Sequence, residues 1–430
     1  MEGFSFQPPA VRYPASVIID KEAHFDDDKG KNATTAEAMT STGHTVGVTF
    51  HLANPPAVSH FCVHGPRLKR EDFEGVPEVV SAQKDLVLLR LALTFGPRIR
   101  SGTAGSPDRV LHEYFVYEAR RGKASLKLIP VLHTEYKPLS ICVVPCPVKM
   151  GNPSSPLSSG HTGKWSSCER LELKRPPEIN YHDMPRPTDK VIVLGGGEVG
   201  LVDLRRGIKI CNVLDADPVF HFIPLPKAEF LHDNDNWDES QLIRDVVVCD
   251  GFIQLVEIER RFRQVLGVNN KKKSCKKMTS DFDKNTDIIY DSEILYRNYA
   301  RPELIPVPDG WKIRTCYRHK YWDYWLKGHV VDVDGSFDYV PELDLATAYP
   351  TLSIVPSEDV VYLTSKVKSD DTKAWMVALH LRSKTLDVLG PYSASYFKRP
   401  KFLVSAFSEY LNTPPNQVPA LRSSMNFSSQ

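Results

Sequence analysis

Residues 190–226, KVIVLGGGEVGLVDLRRGIKICNVLDADPVFHFIPLP, decide the fold of this chain. Three runs rich in Val, Ile and Leu (Val191–Leu194, Val199–Leu204 and Gly207–Leu214) are separated by short links, and Phe220–Pro226 follows them. Short apolar and β-branched runs bounded by Gly, Asp or Pro are typical of strands. The stretch therefore predicts most of one β-propeller blade, in which tight turns join successive strands.

Short β-rich runs of the same kind recur along the chain. They include His44–Leu52, Ser59–Val63, Pro77–Ala82, Leu86–Leu93, Glu113–Tyr117, Ser125–Pro130, Asp245–Cys249, Phe252–Glu257, Lys312–Tyr317, Asp359–Thr364, Trp375–Leu381 and Thr385–Leu389. A β-sandwich holds about 100 residues, so 430 residues would require several copies. A propeller with blades of about 40–50 residues accommodates the length as one body. We therefore expect an all-β or β-dominated, propeller-like array of short antiparallel strands, with a short C-terminal helix within Ser405–Leu411.

Proline content supports this interpretation. The chain has 33 prolines among 430 residues, above the usual share of about 5%. Proline breaks helices. Several prolines, such as Pro77, Pro224 and Pro226, fall at the ends of strand candidates, where the missing N–H removes no ladder hydrogen bond.

The domain organisation follows from composition and turn signals. The prediction is an N-terminal polar segment with one strand over 1–45, an N-terminal β region over 46–148, a loop over 149–165, a C-terminal propeller-like region over 166–412 containing a flexible lysine-rich loop at 269–285, and a tail over 413–430.

Gly195–Gly200 fits the G-x-G-x-x-G pattern of dinucleotide-binding loops, and Asp215 lies near the spacing of a ribose-binding acid. That chemistry requires a helix to begin there, so that its N-terminus faces a pyrophosphate. Only Leu201–Leu204 separates the glycines from the next turn, and strand signals then resume at Ile208. A glycine-rich hairpin turn is the favoured interpretation, and no cofactor is predicted.

His60, Cys62 and His64 alternate along a strand candidate, so they lie on one face. Histidine and cysteine are zinc ligands, and His51 or the pair Cys142 and Cys146 would complete a set of four. No close C-x-x-C pair accompanies them. A partly buried strand is therefore favoured over a metal site, and no metal is predicted.

Five lysines cluster in the loop at 269–285. Lys271, Lys272, Lys273, Lys276 and Lys277 form a candidate nuclear import signal. A run of like charges is more often a solvated loop.

An aromatic and basic stretch covers residues 311–325. Its candidate interaction residues are Trp311, Tyr317, Arg318, Tyr321, Trp322 and Trp325. Aromatic side chains inside β blades usually belong to the core, but exposed Tyr, Trp and Arg dominate protein interfaces. Stacking on nucleobases is a further alternative for such residues.

Charge and hydropathy restrict the partners. The formal net charge of +1 excludes a globally basic nucleic-acid binder. No apolar run reaches the ~18 residues that span a bilayer, and the N-terminus lacks the features of a signal peptide. We expect an intracellular protein, in the cytoplasm or nucleus, with no membrane partner and with nucleic acid as an unlikely partner.

Several motifs carry a resemblance to a plant family, expanded in grasses, that is catalogued as domain of unknown function 1618. They are residues 32–36, 53–59, 61–64, 85–90, 202–208, 213–215 and 223–226. The chain departs from the family near Val202–Leu204, where relatives carry tryptophans and this chain has Leu201 and Arg205. The span around Lys149–Trp165 is shortened relative to the family, as if a strand pair typical of relatives were lost, so the predicted loop at 149–165 is alternatively a shortened strand pair. The resemblance implies a β-rich, propeller-like domain and supplies no catalytic residues.

Taken together, these features favour a non-enzymatic protein-interaction module with an unidentified protein partner. The main alternative is a nuclear regulator that binds nucleic acid through the lysine loop. A nucleotide-cofactor enzyme using Gly195–Gly200 is the less favoured third hypothesis.

Overall fold

The computed structural model describes seventeen stretches of the chain. They are residues 12–25, 30–66, 68–93, 98–99, 109–110, 112–129, 144, 188–215, 218–227, 243–266, 288–290, 304–334, 346–356, 358–366, 373–388, 392–393 and 402–412. The lysine loop, the loop at 149–165, and the tail at 413–430 lie outside these described residues.

The described residues are dominated by strands. In chain order, the strands before residue 130 are β1 (Val17–Asp20), β2 (Ala36–Met39), β3 (Thr45–His51), β4 (Val58–His64), β5 (Glu78–Gln83), β6 (Leu86–Leu91), β7 (Arg98–Ile99), β8 (Arg109–Val110), β9 (Glu113–Glu118) and β10 (Ser125–Ile129). A 3-10 turn at Arg70–Asp72 precedes β5.

The middle of the chain supplies the next set of strands. They are β11 (Lys190–Gly195), β12 (Glu198–Asp203), β13 (Gly207–Asn212), β14 (His221–Pro224), β15 (Arg244–Cys249), β16 (Phe252–Leu266), β17 (Ile288–Tyr290), β18 (Leu304–His319), β19 (Leu326–Asp334), β20 (Ala346–Leu352), β21 (Val360–Lys366), β22 (Lys373–His380), β23 (Thr385–Val388) and β24 (Tyr392–Ser393). The described chain ends with β25 (Phe402–Ser405) and the helix α1 (Phe407–Tyr410).

These strands form five sheets of four or five strands, besides the small β7–β8 pair. In spatial order they are β2-β3-β4-β1-β25, β10-β9-β6-β5, β11-β12-β13-β14, β15-β16-β18-β19 with β17 beside β16, and β20-β21-β22-β23 with β24 beside β22. The pairings are antiparallel except for β1 and β4, which run parallel. The prediction of a β-dominated, propeller-like array with a short C-terminal helix is confirmed.

The described residues group into two compact units, one of residues 12–129 with 402–412, and one of residues 188–393. The sequence placed residues 402–412 with the C-terminal region, and here the structure differs. The physical reason is that β25 pairs with β1, with Val17 opposite Ser405 and Asp20 opposite Phe402. Strand pairing between the two chain ends is a long-range contact that local composition does not reveal.

The core of the first unit is built around aromatic rings. Phe50 lies 4.8 Å from Tyr117 and 5.0 Å from Phe407 between ring centroids. Helix α1 thus contributes a buried ring, Phe407, to the core. The hydroxyl of Tyr117 donates a hydrogen bond to the carbonyl of Thr34 at 2.7 Å. This bond satisfies the hydroxyl, which is the only polar group on the buried Tyr117 side chain.

Residues 190–226 contain the third sheet, in which tight turns join successive strands as the sequence predicts. Strands β11, β12, β13 and β14 pair antiparallel in chain order. Apolar side chains of this sheet, including Val202 and Ile208, pack with Val246 and Leu255 of the fourth sheet. The fourth sheet also shares a core with the fifth, where Trp311 and other β18 residues meet β21 and β22.

Candidate interaction surface

The turn between β18 and β19, residues 320–325, organises the candidate surface. Tyr317 at the end of β18 pairs with Leu326 at the start of β19. On the other side of β18, Phe252 of β16 pairs with His319. The turn between β18 and β19 therefore lies beside the turn between β15 and β16, at the same end of the fourth sheet. We call this end of the sheet the rim.

Six rings of this region form one contact network: Phe252, Tyr317, His319, Tyr321, Trp322 and Tyr324. We call these six rings, together with the adjacent Trp325, the aromatic surface. Phe252 makes edge contacts to Tyr317 at 6.2 Å and to Trp322 at 5.6 Å between centroids. Trp322 stacks on Tyr324 at 5.2 Å with an interplanar angle of 9°. His319 lies 5.2 Å from Tyr321. Each ring is thus fixed by at least one neighbour.

Trp325 anchors the second half of the turn. Its indole N–H donates to the carbonyl of Pro224 at 2.9 Å, which joins the turn to the third sheet. The guanidinium of Arg318 lies over the Trp325 ring at 5.6 Å, a cation–π geometry. Burial lowers the pKa of Arg318, although attraction from Asp323 partly opposes this shift.

Lys320 ties the turn to the glycine-rich hairpin. Its ammonium group pairs with the carboxylate of Glu198, the first residue of β12. The same ammonium lies 4.8 Å from the Tyr321 ring centroid. Burial lowers the pKa of Lys320, but hydrogen bonding and charge attraction from Glu198 and Tyr321 outweigh it, so the pKa is raised. Lys320 therefore stays charged across the physiological range.

Exposed apolar side chains concentrate in this region. Among the described residues, nine large hydrophobic side chains are exposed, and five lie between residues 317 and 330. Of these five, the most exposed are Tyr321 at 76%, Val330 at 54% and Tyr324 at 51%. Contiguous exposed apolar groups of this kind mark interaction sites more often than scattered single residues do.

The structure brings five of the six predicted interaction residues together at this rim. Tyr317, Tyr321, Trp322 and Trp325 belong to the aromatic surface, and Arg318 lies against Trp325 although it is only 3% exposed. Trp311 does not reach the rim, because it lies within β18 with its side chain in the core shared with the fifth sheet. The five candidate import lysines fall outside the described residues.

Sequence reasoning missed three contributors to the surface: Phe252, Glu198 and the carbonyl of Pro224. Their contacts with the turn span 70 residues (Phe252 to Trp322), 122 residues (Glu198 to Lys320) and 101 residues (Pro224 to Trp325), and the pairing of distant strands brings them together. Tyr324 also belongs to the surface. It lies two residues after Trp322 within the aromatic stretch at 311–325, so the sequence alone was enough to add it to the candidates.

The G-x-G-x-x-G motif forms the hairpin turn that the sequence favoured. Gly195, Gly196 and Gly197 all have positive φ, at 94°, 64° and 90°, and they join β11 to β12. Residues 198–215 are strand and turn in this structure, so the helix N-terminus that a pyrophosphate requires is not formed there.

The sequence grouped His60, Cys62 and His64, with His51 as one possible addition. The structure brings His51, His60 and Cys62 together. His60 and Cys62 lie on one face of β4, and cross-strand pairing places His51 opposite His60. His64 instead shares a hydrogen bond of 2.9 Å with the hydroxyl of Thr49. Burial lowers the pKa of His64, with a further contribution from Lys31.

Comparison with known proteins supports the resemblance found in the sequence. Residues 202–362 match the sequence model of the family DUF1618, whose description reads 'protein of unknown function'. The family prediction is confirmed over this segment, which contains the turn at 320–325. No curated protein and no solved structure matches the chain significantly. Within the described residues, no helix is long and apolar enough to cross a membrane.

Proposed function

We propose that the DUF1618 segment of this chain is a non-enzymatic protein-interaction module, and that the aromatic surface is its contact site for a protein partner. The observation that carries the proposal is the concentration of exposed apolar side chains between residues 317 and 330. Tyr and Trp are enriched at binding hot spots because each combines a large apolar area with a polar group.

The chemistry of the surface suggests the kind of partner segment that it accepts. The exposed rings of Tyr321 and Tyr324 offer apolar area with hydroxyl groups that donate or accept hydrogen bonds. The neighbouring cation Lys320 is already paired with Glu198, so its charge is largely compensated. A partner segment with an apolar or aromatic anchor and polar flanks fits this arrangement better than a strongly acidic one.

Affinity capture with the full chain, followed by a binding measurement on the captured protein, tests this function. The test variant is Tyr321→Ala/Tyr324→Ala, because both side chains are exposed and their loss leaves the core intact. The control is Val219→Ala, which removes an exposed apolar side chain of the same compact unit outside residues 317–330. Hot-spot truncation typically costs about 2 kcal/mol or more, so we expect binding to weaken about 30-fold.

The control variant should bind as the parent chain does, and both variants should unfold at nearly the parent temperature. Absence of any reproducible protein partner would argue strongly against the proposal. If the tyrosine variant binds the partner as tightly as the parent chain does, the aromatic surface is not the contact site. Capture that nuclease treatment abolishes would favour the nucleic-acid alternative, in which rings stack on bases.

A further inference from the structure

Four metal-binding side chains gather on one face of the first sheet. The register of β3 and β4 pairs His51 with His60, and Cys62 follows two residues later on the same face. His24, just after β1, forms a parallel bridge with Cys62 and donates its backbone N–H to the carbonyl of Phe61. Three neighbouring chain segments therefore present three imidazoles and one thiol side by side.

The donor atoms lie close to the spacing that a metal ion requires. One donor atom each from His51, His60 and Cys62 lies within 4.8 Å of the other two. A tetrahedral zinc ion with Zn–N of about 2.0–2.1 Å and Zn–S of about 2.3 Å places two nitrogens and one sulfur about 3.3–3.6 Å apart. No pair needs to approach by more than about 1.5 Å to reach that spacing.

The histidine rings are packed against one another rather than dispersed. The ring of His60 lies 4.9 Å from that of His51 and 4.7 Å from that of His24, in stacked geometry. The Nε2 atom of His24 also lies 3.1 Å from a carboxylate oxygen of Asp20. A carboxylate that orients a histidine is a recurrent second contact around metal-binding histidines.

Simple packing is the competing explanation, because stacked histidines and buried cysteines both occur without metal. The combination is what distinguishes this cluster. Cys62 is 3% exposed, whereas His51 and His60 are partly exposed, so a buried thiol lies beside two imidazoles that solvent reaches. Two nitrogen donors and one sulfur donor suit a borderline-soft ion such as Zn²⁺, and not Mg²⁺ or Ca²⁺.

We infer that His51, His60 and Cys62 form a binding site for Zn²⁺ or a divalent ion of the same class, with His24 beside the fourth position. Cys62 binds as the thiolate and the histidines bind as neutral imidazoles. Metal entry therefore releases the thiol proton to solvent, and no electron is transferred. The site lies in the compact unit of residues 12–129 with 402–412, so it is independent of the proposed interaction function.

Cobalt substitution tests the site directly. The full chain, freed of metal by a chelator and kept in a non-thiol reductant, is titrated with Co²⁺ and then with Zn²⁺. We expect one equivalent of Co²⁺ to produce the near-ultraviolet charge-transfer absorption of a cobalt–thiolate bond, and Zn²⁺ to displace it. Cys62→Ser should abolish this absorption, and His60→Gln should weaken binding about tenfold or more, since even residues behind the ligands alter affinity by 10–100-fold.

The matched control is His64→Gln. His64 lies on the same strand and the same face as Cys62, but its ring forms a hydrogen bond with Thr49 and is not one of the proposed ligands. This variant should bind Co²⁺ as the parent chain does. Circular dichroism of every metal-free variant separates lost binding from lost folding. A thiolate absorption that persists in Cys62→Ser would place the binding at another cysteine and overturn the inference. Failure of the folded parent chain to bind Co²⁺ at one equivalent would overturn it equally.

Discussion

Replacement of Arg244 by methionine tests the polar connection between the third and fourth sheets. The Arg244 side chain is completely buried. Its Nε and one terminal nitrogen contact a carboxylate oxygen of Glu257 at 2.6 and 2.5 Å. Its terminal nitrogens also donate to the carbonyls of Leu204 at 3.0 Å and Pro226 at 2.6 Å. One guanidinium thus satisfies a buried anion and two backbone acceptors at once.

The expected loss follows from what the substitution leaves behind. Removing one member of a buried ion pair typically costs about 3–5 kcal/mol, because the remaining charge is uncompensated. Arg314 lies 3.2 Å from the other oxygen of Glu257 and offsets part of this penalty. The carbonyls of Leu204 and Pro226 lose a donor, which adds about 1–3 kcal/mol for a buried group left unsatisfied. We expect the free energy of unfolding to fall by about 4 kcal/mol.

Urea unfolding of the full chain, followed by circular dichroism, measures this loss. Arg382→Met is the matched control, because Arg382 forms an exposed ion pair with Asp359 at 2.9 Å. Exposed pairs contribute about 0–1 kcal/mol, so this control should change little. The double variant Arg244→Met/Glu257→Leu should recover part of the stability, since it also removes the stranded charge. If Arg244→Met is no more destabilising than Arg382→Met, the argument from the buried pair is wrong.

Three further predictions concern the backbone and the charges. Gly310→Ala should destabilise the chain in thermal unfolding far more than Gly251→Ala, because both have positive φ but only the Gly310 Cβ would collide with the backbone carbonyl of Val333 in β19. Burial lowers the pKa of His64, so the unfolded chain binds this proton more strongly. Stability should therefore fall as pH drops below about 6.5, and His64→Gln should flatten that part of the pH profile. Lys320→Met removes the ion pair with Glu198; it should cost about 1 kcal/mol or less but speed amide hydrogen exchange in the turn at 320–325.

The features that the sequence predicted well are those that local chemistry determines. The meander over residues 190–226 follows from apolar runs that end at Gly195–Gly197 and at the turn after Asp203, where the next strand is only a few residues away. The short helix after β25 is local in the same sense. Such elements are specified by neighbouring residues, so one sequence suffices to find them.

The features that the sequence did not predict depend on pairing between distant segments of the chain. Of β18, only Lys312–Tyr317 was predicted as a strand. In the structure β18 runs from Leu304 and includes Pro306 and Pro308. Within the described pairings, residues 304–308 pair with β16 on one side only, and proline is tolerated on such an edge. The pairing of β1 with β25 and the arrival of His51 beside His60 are long-range events of the same kind.

The same long-range contacts bear on the proposed interaction function. Surface aromatic residues on a flexible turn lose conformational entropy when they bind, and this loss weakens affinity. The turn at 320–325 is already restrained by Phe252 of β16, by the carbonyl of Pro224, and by the ion pair of Lys320 with Glu198. Tyr321 and Tyr324 are therefore exposed and held in place by packed neighbours. A ring that is both exposed and restrained gives the fold little stability, so its arrangement is better explained by binding than by folding.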